Sequence, residues 1–422
     1  MNLVNWSKKL RKTNIVDSEL YKKYKVKADL CEIDGKDILA RLTYKGRDIN
    51  DLVNSFRFDS RYRYEEAAYL ILMGEQPNKN ELEEFVYIIG EFRVLSYEFI
   101  RDMIMGLPCK DLINVLSRSV LGLYSYDDLA DDTSIENVLR QSLQLIAVFP
   151  LLAVYAYQAF QYQKGKTSLV IHTPSRELST AENILYMLRY DKNYSKLEAS
   201  ILDLLLVLYA EYGGRDNSTL TTCVVTFSDT DMYSAISAAL GSLKGSGHGE
   251  NNIKVSDMFE DIKRSITDWK NKSQVSKYLE DILDRKAFDN KGRIYGMGHT
   301  LYTRTDSRYI ILKNYVKKLA EEKGLQDEFE LYELVEKLTP GLMRQKRNIN
   351  KDISANVDFY SGFVYHMLGV PEELFKSLFA VSRVVVWLGY RLKYIVNNGK
   401  IINSLHGSVK LKREYINMKK RM

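Results

Sequence analysis

Two histidines and one aspartate stand out in this chain because of the residues around them. The 422 residues include only five histidines, and two of them, His248 and His299, directly follow a glycine. Glycine tolerates positive φ and lets the backbone approach a ligand closely, so a histidine at such a position is displayed rather than packed into a core. Asp358 lies in a third segment, residues 356–362, in addition to the two that contain the histidines, and it would add a carboxylate base. One carboxylate and two imidazoles indicate proton transfer at a carbon atom.

The chemistry that would need this set is removal of a proton from the carbon next to a thioester. Such a reaction requires a placed base, a donor to the enolate oxygen, and a donor that polarises the electrophile. Asp358 would be the base, His248 would donate to the enolate as a neutral imidazole, and His299 would polarise a ketone and protonate the new alkoxide. Arg308 and Arg383 would hold carboxylates through bidentate contacts.

Each assignment has a plainer alternative. Asp358 could cap a turn, because Asn-x-Asp segments often do so. Arg308 could be a surface charge, and either histidine alone could be a satisfied structural residue. The occurrence of all of them in one chain is what favours the catalytic interpretation.

The composition narrows the classes of partner. A net charge of +6 arises from 61 basic and 55 acidic residues, a balance that gives no nucleic-acid-binding signature and supports at most a weak preference for anionic small molecules. The longest apolar runs, 145–156 and 201–208, are shorter than the ~20 residues of a membrane span; Pro150 is expected to break the first, and Asp203 lies in the second. Both runs are predicted to be buried helices. We therefore expect no nucleic-acid or membrane partner.

The cysteines and histidines give no sign of a metal or a disulfide framework. Three isolated cysteines without a CxxC pair are typical of a reducing compartment, and we expect a cytoplasmic protein. No histidine pair has the i,i+4 spacing of a metal site, and no cysteines cluster, so no metal is expected.

Helical patterns dominate the rest of the chain. Ser179 and Glu182 form a capping box, and an apolar face containing Tyr233 predicts a helix that ends at Gly245. Pro371 is expected at the first position of a long helix that Gly399 could terminate. Its apolar positions recur every three or four residues, at Leu374, Leu378, Val381, Val385 and Leu388.

Strand signals are few and lie between Lys25 and Tyr44. Charge density rises between residues 256 and 351, and long apolar helices resume after Asp358. These shifts predict a small domain inserted into a large helical one. We expect residues 1–251 to form the first part of the large domain, 252–361 the small domain, and 362–422 the return segment and C-terminal arm.

Six segments in this order and spacing identify the chain as similar to a known family. They are residues 42–51, 65–75, 178–183, 241–249, 296–308 and 356–362. Together they resemble the citrate synthase family over nearly the full length. The resemblance implies a mainly α-helical, two-domain fold with a mobile small domain, a homodimer, and an active site in the cleft between the domains.

The resemblance also implies the reaction and its residues. Acetyl-CoA would condense with oxaloacetate as small-molecule substrates, with no permanently bound cofactor. His248, His299 and Asp358 match the catalytic residues of the family, and Arg308 and Arg383 match the arginines that hold the oxoacid. The loop of Gly296, Met297 and Gly298 would lie near the thioester arm of coenzyme A, with Arg304 as a phosphate contact.

The chain departs from the family at residues near the oxoacid. Tyr209 and Tyr212 stand where histidines are usual, and the second of those histidines contacts the oxoacid. Asn403 stands where the family has an arginine that reaches the partner subunit's site, and Glu250-Asn251 replaces small residues after His248-Gly249. Because a hydrogen bond to a charged group is worth ~1.5–3 kcal/mol, two lost contacts predict an oxoacid pocket weakened by roughly two to four orders of magnitude.

Four functions remain open on these observations. Citrate synthase is the leading one, followed by 2-methylcitrate synthase, which would accept propionyl-CoA. A third is an acyl-CoA condensing enzyme with another 2-oxoacid, which could lack the second carboxylate. The fourth is a non-catalytic paralogue that binds CoA or a metabolite.

Overall fold

The structure, a computed structural model, describes residues 31–34, 39–44, 47–55, 62–165, 168–211, 216–245, 251–298, 305–347 and 353–397. Within these ranges the chain is mainly helical. The helices longer than one turn are α1 Ile49–Ser55, α2 Arg63–Met73, α3 Lys79–Glu91, α4 Leu112–Leu123, α5 Ile135–Gln163, α6 Thr180–Leu188, α7 Lys196–Ala210, α8 Asn217–Thr226, α9 Met232–Lys244, α10 Asn251–Ser265, α11 Lys272–Leu283, α12 Ser307–Lys323, α13 Gln326–Arg347, α14 Val357–Met367 and α15 Glu372–Val396. A short turn of helix, Tyr97–Phe99, continues as a π-helix, Ile100–Met105.

Two long helices, α5 and α15, form the centre of the molecule. Helix α15 packs against α5, α7, α8 and α2, and its predicted apolar positions from Leu374 to Leu388 are all buried. The prediction for its first residue is wrong by one position, because Pro371 is the N-cap and the helix begins at Glu372. It ends with Asn397 as its C-cap, and Gly399 lies outside the described residues.

The prediction that the apolar runs at 145–156 and 201–208 are buried helices is confirmed, but the expectation that Pro150 would break the first run is wrong. Helix α5 runs through Pro150 without interruption, and the residues on either side are buried. Burial of this apolar segment outweighs the loss of one backbone hydrogen bond at proline. By length and composition α5 is the one helix in the described ranges that could cross a membrane, but 89% of its most apolar window is buried inside the fold, as in a core helix.

Local helix signals in the sequence are confirmed. Ser179 and Glu182 form both hydrogen bonds of a capping box at the start of α6. Helix α9 ends at Lys244 with Gly245 as its C-cap, and the face that contains Tyr233 is buried.

A small sheet joins the N-terminal region to a distant segment. Strands β1 Cys31–Asp34 and β2 Leu39–Tyr44 lie in the stretch where strands were predicted and pair antiparallel, and β3 Arg47–Asp48 also pairs with β2. Strand β4 Thr305–Asp306 pairs with β2 in parallel, with Ala40 opposite Asp306. The Tyr44 hydroxyl donates to the Val207 carbonyl at 2.7 Å, which fixes β2 against α7. The sheet therefore holds Asp306, two residues before Arg308.

Helices α10 to α14 pack mainly on one another. Helix α14 contacts α10 and α12, and α13 contacts α11 and α12. Glu336 of α13 accepts hydrogen bonds from Tyr309 on α12 and from Tyr360 on α14, the latter at 2.7 Å. Helix α14 also touches α7 and α15. The division at residues 251/252 and 361/362 stays a prediction, and the second boundary falls within α14.

Candidate active site

The glycine segment at 296–298 lies against the segment that leads into α14. Gly298 N donates to Ser354 O at 2.8 Å and Asn356 N donates to Gly296 O at 2.9 Å. Gly296 has φ +76°, and a Cβ on it would come within 2.9 Å of the Phe359 backbone. Only glycine fits such a conformation at so close an approach. Two of the motif segments predicted to form one site are therefore brought together.

Asp358 lies in the first turn of α14. The N-cap is Asn356, whose side-chain oxygen accepts from Asp358 N at 3.0 Å while its amide donates to Gly298 O at 2.9 Å. Asn356 thus fills the capping role, and the alternative in which Asp358 serves as the cap is wrong. The carboxylate of Asp358 is left for another use at the end of a helix whose dipole favours negative charge.

Two side chains hold the Asp358 carboxylate. The Tyr209 hydroxyl donates to Oδ1 at 2.7 Å, and the Asn251 side chain forms a further hydrogen bond. Burial raises the pKa of Asp358 above its ordinary value, while the hydrogen bond from Tyr209, the charge of Arg308 and the hydrogen bond from Asn251 oppose that rise. The result is a carboxylate that is more basic than usual and fixed in orientation, as a base requires.

Tyr209 is the main site residue that sequence reasoning missed. It is buried in α7, and its hydroxyl also lies 2.7 Å from Ser361 Oγ. Burial and the nearby Asp358 charge raise the pKa of Tyr209 well above its ordinary value, so it stays a donor. The sequence marked Tyr209 only as a departure from a usual histidine, and its pairing with a residue 149 positions away gave no local signal. Asn251 is likewise a departure from the family pattern to which the sequence assigns no role.

Arg308 is buried, so the alternative of a surface charge is wrong. Its guanidinium forms a bidentate pair with Asp306, with Nε to Oδ1 at 3.0 Å and Nη2 to Oδ2 at 2.9 Å. Asp306 Oδ2 also accepts from Val357 N at 3.2 Å, the first residue of α14. The pair therefore connects Arg308 to the helix that carries Asp358.

Arg383 lies on α15 and is also buried in an ion pair. Its Nη1 lies 3.3 Å from Asp216 Oδ2, and its guanidinium lies 4.7 Å from the centre of the Phe379 ring. The Phe379 ring packs edge-on against the Tyr209 ring at 5.2 Å between centroids. A series of contacts from Asp358 through Tyr209 and Phe379 thus reaches Arg383.

Five of the predicted site residues lie outside the described residues. They are Tyr212, His248, His299, Arg304 and Asn403. The structure brings together Asp358, Arg308 and the glycine segment, and it links Arg383 to them through Phe379 and Tyr209. Within the described ranges, no group of three or more histidine, cysteine or acidic side chains could hold a metal ion.

Comparison with known proteins decides the family. The sequence model for "Citrate synthase, C-terminal domain" matches residues 22–404. The chain belongs to the citrate synthase family. It is 33% identical over 368 residues to the citrate synthase of Synechocystis, which covers 86% of this chain and 83% of that one. It is 28% identical to the 2-methylcitrate synthase of Shewanella oneidensis, with 85% and 86% covered.

A solved citrate synthase has the same fold. The enzyme of Thermoplasma acidophilum, in ternary complex with carboxymethyl coenzyme A and oxaloacetate, superimposes with a TM-score of 0.72 at 24% identity, over 94% of this chain and 97% of that one. The prediction of a mainly α, citrate synthase-like two-domain fold is confirmed. Family membership makes the protein an acyltransferase-type condensing enzyme.

Proposed function

We propose that this protein condenses acetyl-CoA with oxaloacetate to form citrate and CoA. The observation that carries the proposal is the Asp358 carboxylate, held at 2.7 Å by Tyr209 and raised in pKa by burial. Two comparisons support the choice of substrates. The chain is 33% identical to the citrate synthase of Synechocystis, and the Thermoplasma acidophilum enzyme is in complex with oxaloacetate and carboxymethyl coenzyme A.

In the proposed mechanism Asp358 removes a proton from the acetyl methyl group, and His248 donates a hydrogen bond to the enolate oxygen. The enolate carbon attacks the ketone carbon of oxaloacetate, and His299 protonates the alkoxide that forms. Water then cleaves the thioester and releases CoA.

Arg308 and Arg383 would hold the oxoacid, with Tyr212 and Asn403 as weaker contacts. Gly296, Met297, Gly298 and Arg304 would contact coenzyme A.

The acyl chain is open between acetyl and propionyl. The similarity to a 2-methylcitrate synthase supports propionyl-CoA as the second candidate. The two activities differ only in one methyl group at the carbon that Asp358 would deprotonate, so the same base would serve both.

We also propose a cytoplasmic homodimer. Leu220 and Val224, four residues apart on α8, are 51% and 65% exposed, and this apolar pair would be covered by a second copy. The three cysteines without a paired spacing support a reducing compartment. Light scattering on the purified chain would test the dimer, since a monomer at micromolar concentration would contradict it.

Product identification tests the proposed reaction. The purified protein is incubated with oxaloacetate and either acetyl-CoA or propionyl-CoA, and the products are identified by mass spectrometry. We expect citrate from the mixture with acetyl-CoA and 2-methylcitrate from the mixture with propionyl-CoA. Thiol release should be faster with acetyl-CoA than with propionyl-CoA. A reversed preference would favour 2-methylcitrate synthase, and binding of acyl-CoA without any product would favour the non-catalytic paralogue.

A further inference from the structure

The ion pair between Arg383 and Asp216 is unusual for an arginine that is meant to hold a substrate carboxylate. Both side chains are buried, with exposed fractions of 2% and 7%. Their charges lie 3.3 Å apart from Nη1 to Oδ2, in surroundings where solvent screens little. Arg383 Nε is buried and has no hydrogen-bond partner among the described residues. The guanidinium therefore already faces one carboxylate and still has an unused donor.

Asp216 is fixed in this position by the start of α8. It is the N-cap, and its Oδ1 accepts from Ser218 N at 3.1 Å and Thr219 N at 3.0 Å. The Thr219 hydroxyl donates to Oδ2 at 2.6 Å, and the Ser218 hydroxyl donates to Oδ1. Trp387 Nε1 in turn donates to Ser218 Oγ at 3.2 Å. A carboxylate with this many donors stays ionised and cannot swing away from Arg383.

The charge balance around the two arginines follows from these contacts. Among the described residues, Arg308 is paired with Asp306 and Arg383 with Asp216, so these four side chains sum to zero charge. A dicarboxylic oxoacid brings two negative charges and a monocarboxylic one brings only one. The electrostatic attraction between a free guanidinium and a ligand grows with the charge of the ligand. Neutralising the guanidinium therefore weakens the binding of a dicarboxylic acid more than that of a monocarboxylic acid.

We propose that Asp216 is a specificity-determining residue that neutralises Arg383 and lowers the preference of the site for dicarboxylic over monocarboxylic 2-oxoacids. The proposal rests on the proposed function in one respect, the assignment of Arg383 to the oxoacid.

The variant Asp216→Asn isolates the charge. Asparagine is as good an N-cap as aspartate, so its oxygen can keep the bonds from Ser218 N and Thr219 N. Its amide would stand where Oδ2 accepts from Arg383, and two donors facing each other would release the guanidinium. The matched control is Asp231→Asn, which makes the same change at the N-cap of α9.

The test is calorimetric binding of oxaloacetate and of pyruvate, a monocarboxylic 2-oxoacid, to the full-length wild-type and variant proteins. In Asp216→Asn we expect the ratio of the pyruvate Kd to the oxaloacetate Kd to rise about tenfold or more, as for one restored contact to a charged group. In Asp231→Asn the ratio should stay at the wild-type value.

An unchanged or lower ratio in Asp216→Asn would overturn the proposal, since Asp216 would then only position Arg383. Absence of oxaloacetate binding in both the wild type and Asp216→Asn would overturn it as well. Because binding is measured without turnover, these outcomes are separate from a failure of the proposed condensation, which would appear as bound oxaloacetate without product.

Discussion

The site has a base end, at Asp358, and an oxoacid end, at Arg308 and Arg383. The two ends differ in the groups that contact their charged side chains. Asp358 accepts hydrogen bonds from the neutral donors Tyr209 and Asn251, which orient the carboxylate, and the charge of nearby Arg308 lowers its pKa without offsetting the effect of burial. Arg308 and Arg383 are each met by a carboxylate, from Asp306 and Asp216, that cancels their charge. Neutral hydrogen-bond donors orient a carboxylate without cancelling its charge, whereas a paired carboxylate offsets the charge of an arginine. The base end is therefore prepared for chemistry, and the two arginines described at the oxoacid end are each offset by an aspartate.

The largest effect is expected from Asp358→Asn, which removes the carboxylate that would act as the base. Loss of the base should lower kcat by about 10²–10⁴-fold, measured as thiol release from acetyl-CoA with oxaloacetate.

The same variant should be more stable at neutral pH. The fold raises the pKa of Asp358, so the carboxylate contributes stability below its unfolded pKa and loses it as the pH rises through the folded value. Asparagine removes that loss. The melting temperature should exceed that of the wild type at pH 7, and the gain should shrink as the pH falls toward the ordinary aspartate pKa of 3.8. A lower melting temperature at pH 7 would show that the carboxylate is structural.

Arg308→Met tests the pairing at the oxoacid end. Without the guanidinium, Asp306 would be a buried, uncompensated charge, which typically costs about 3–5 kcal/mol. Urea unfolding should show that loss. The matched control is Arg101→Met, which removes an arginine from an exposed pair with Asp102 and should leave stability nearly unchanged. Equal effects of the two variants would contradict the buried pair.

Tyr209→Phe should have a smaller effect, confined to the base. Loss of one hydrogen bond to a charged group should lower kcat about tenfold near neutral pH and leave the KM of acetyl-CoA unchanged. Because the Tyr209 donor lowers the pKa of Asp358, its removal raises that pKa further, and the acidic limb of the kcat–pH profile should move to higher pH.

The control for Tyr209→Phe is Tyr155→Phe, which removes another buried hydroxyl, one that donates to His172 O at 3.1 Å. Tyr155→Phe should lower the stability of the protein without shifting the acidic limb of the kcat–pH profile. If both variants leave the limb in place, Tyr209 does not act through Asp358.

The sequence predicted what is local and missed what is distant. The capping box at Ser179, the end of α9 at Gly245 and the buried face of α15 depend on residues within a few turns, and all are confirmed. Local propensity predicts a break at Pro150, and tertiary burial overrides that propensity in α5.

The two contacts that define the site join distant positions. Tyr209 and Asp358 are 149 residues apart, and Asp216 and Arg383 are 167 apart. Residue types alone predicted that Asp358 and the arginines belong together. Which donor or acid each would meet depends on how α7, α8, α14 and α15 pack, and periodicity within one helix carries no information about that.

The most direct test of the contrast between the two ends is the initial rate of thiol release as a function of oxaloacetate concentration, at saturating acetyl-CoA, for the wild type and Asp216→Asn. A working base end and a neutralised oxoacid end predict release that depends on oxaloacetate and saturates, with a lower half-saturating concentration in the variant. Absence of oxaloacetate-dependent release in both proteins would contradict the prepared base. Identical half-saturating concentrations would contradict the neutralised arginine.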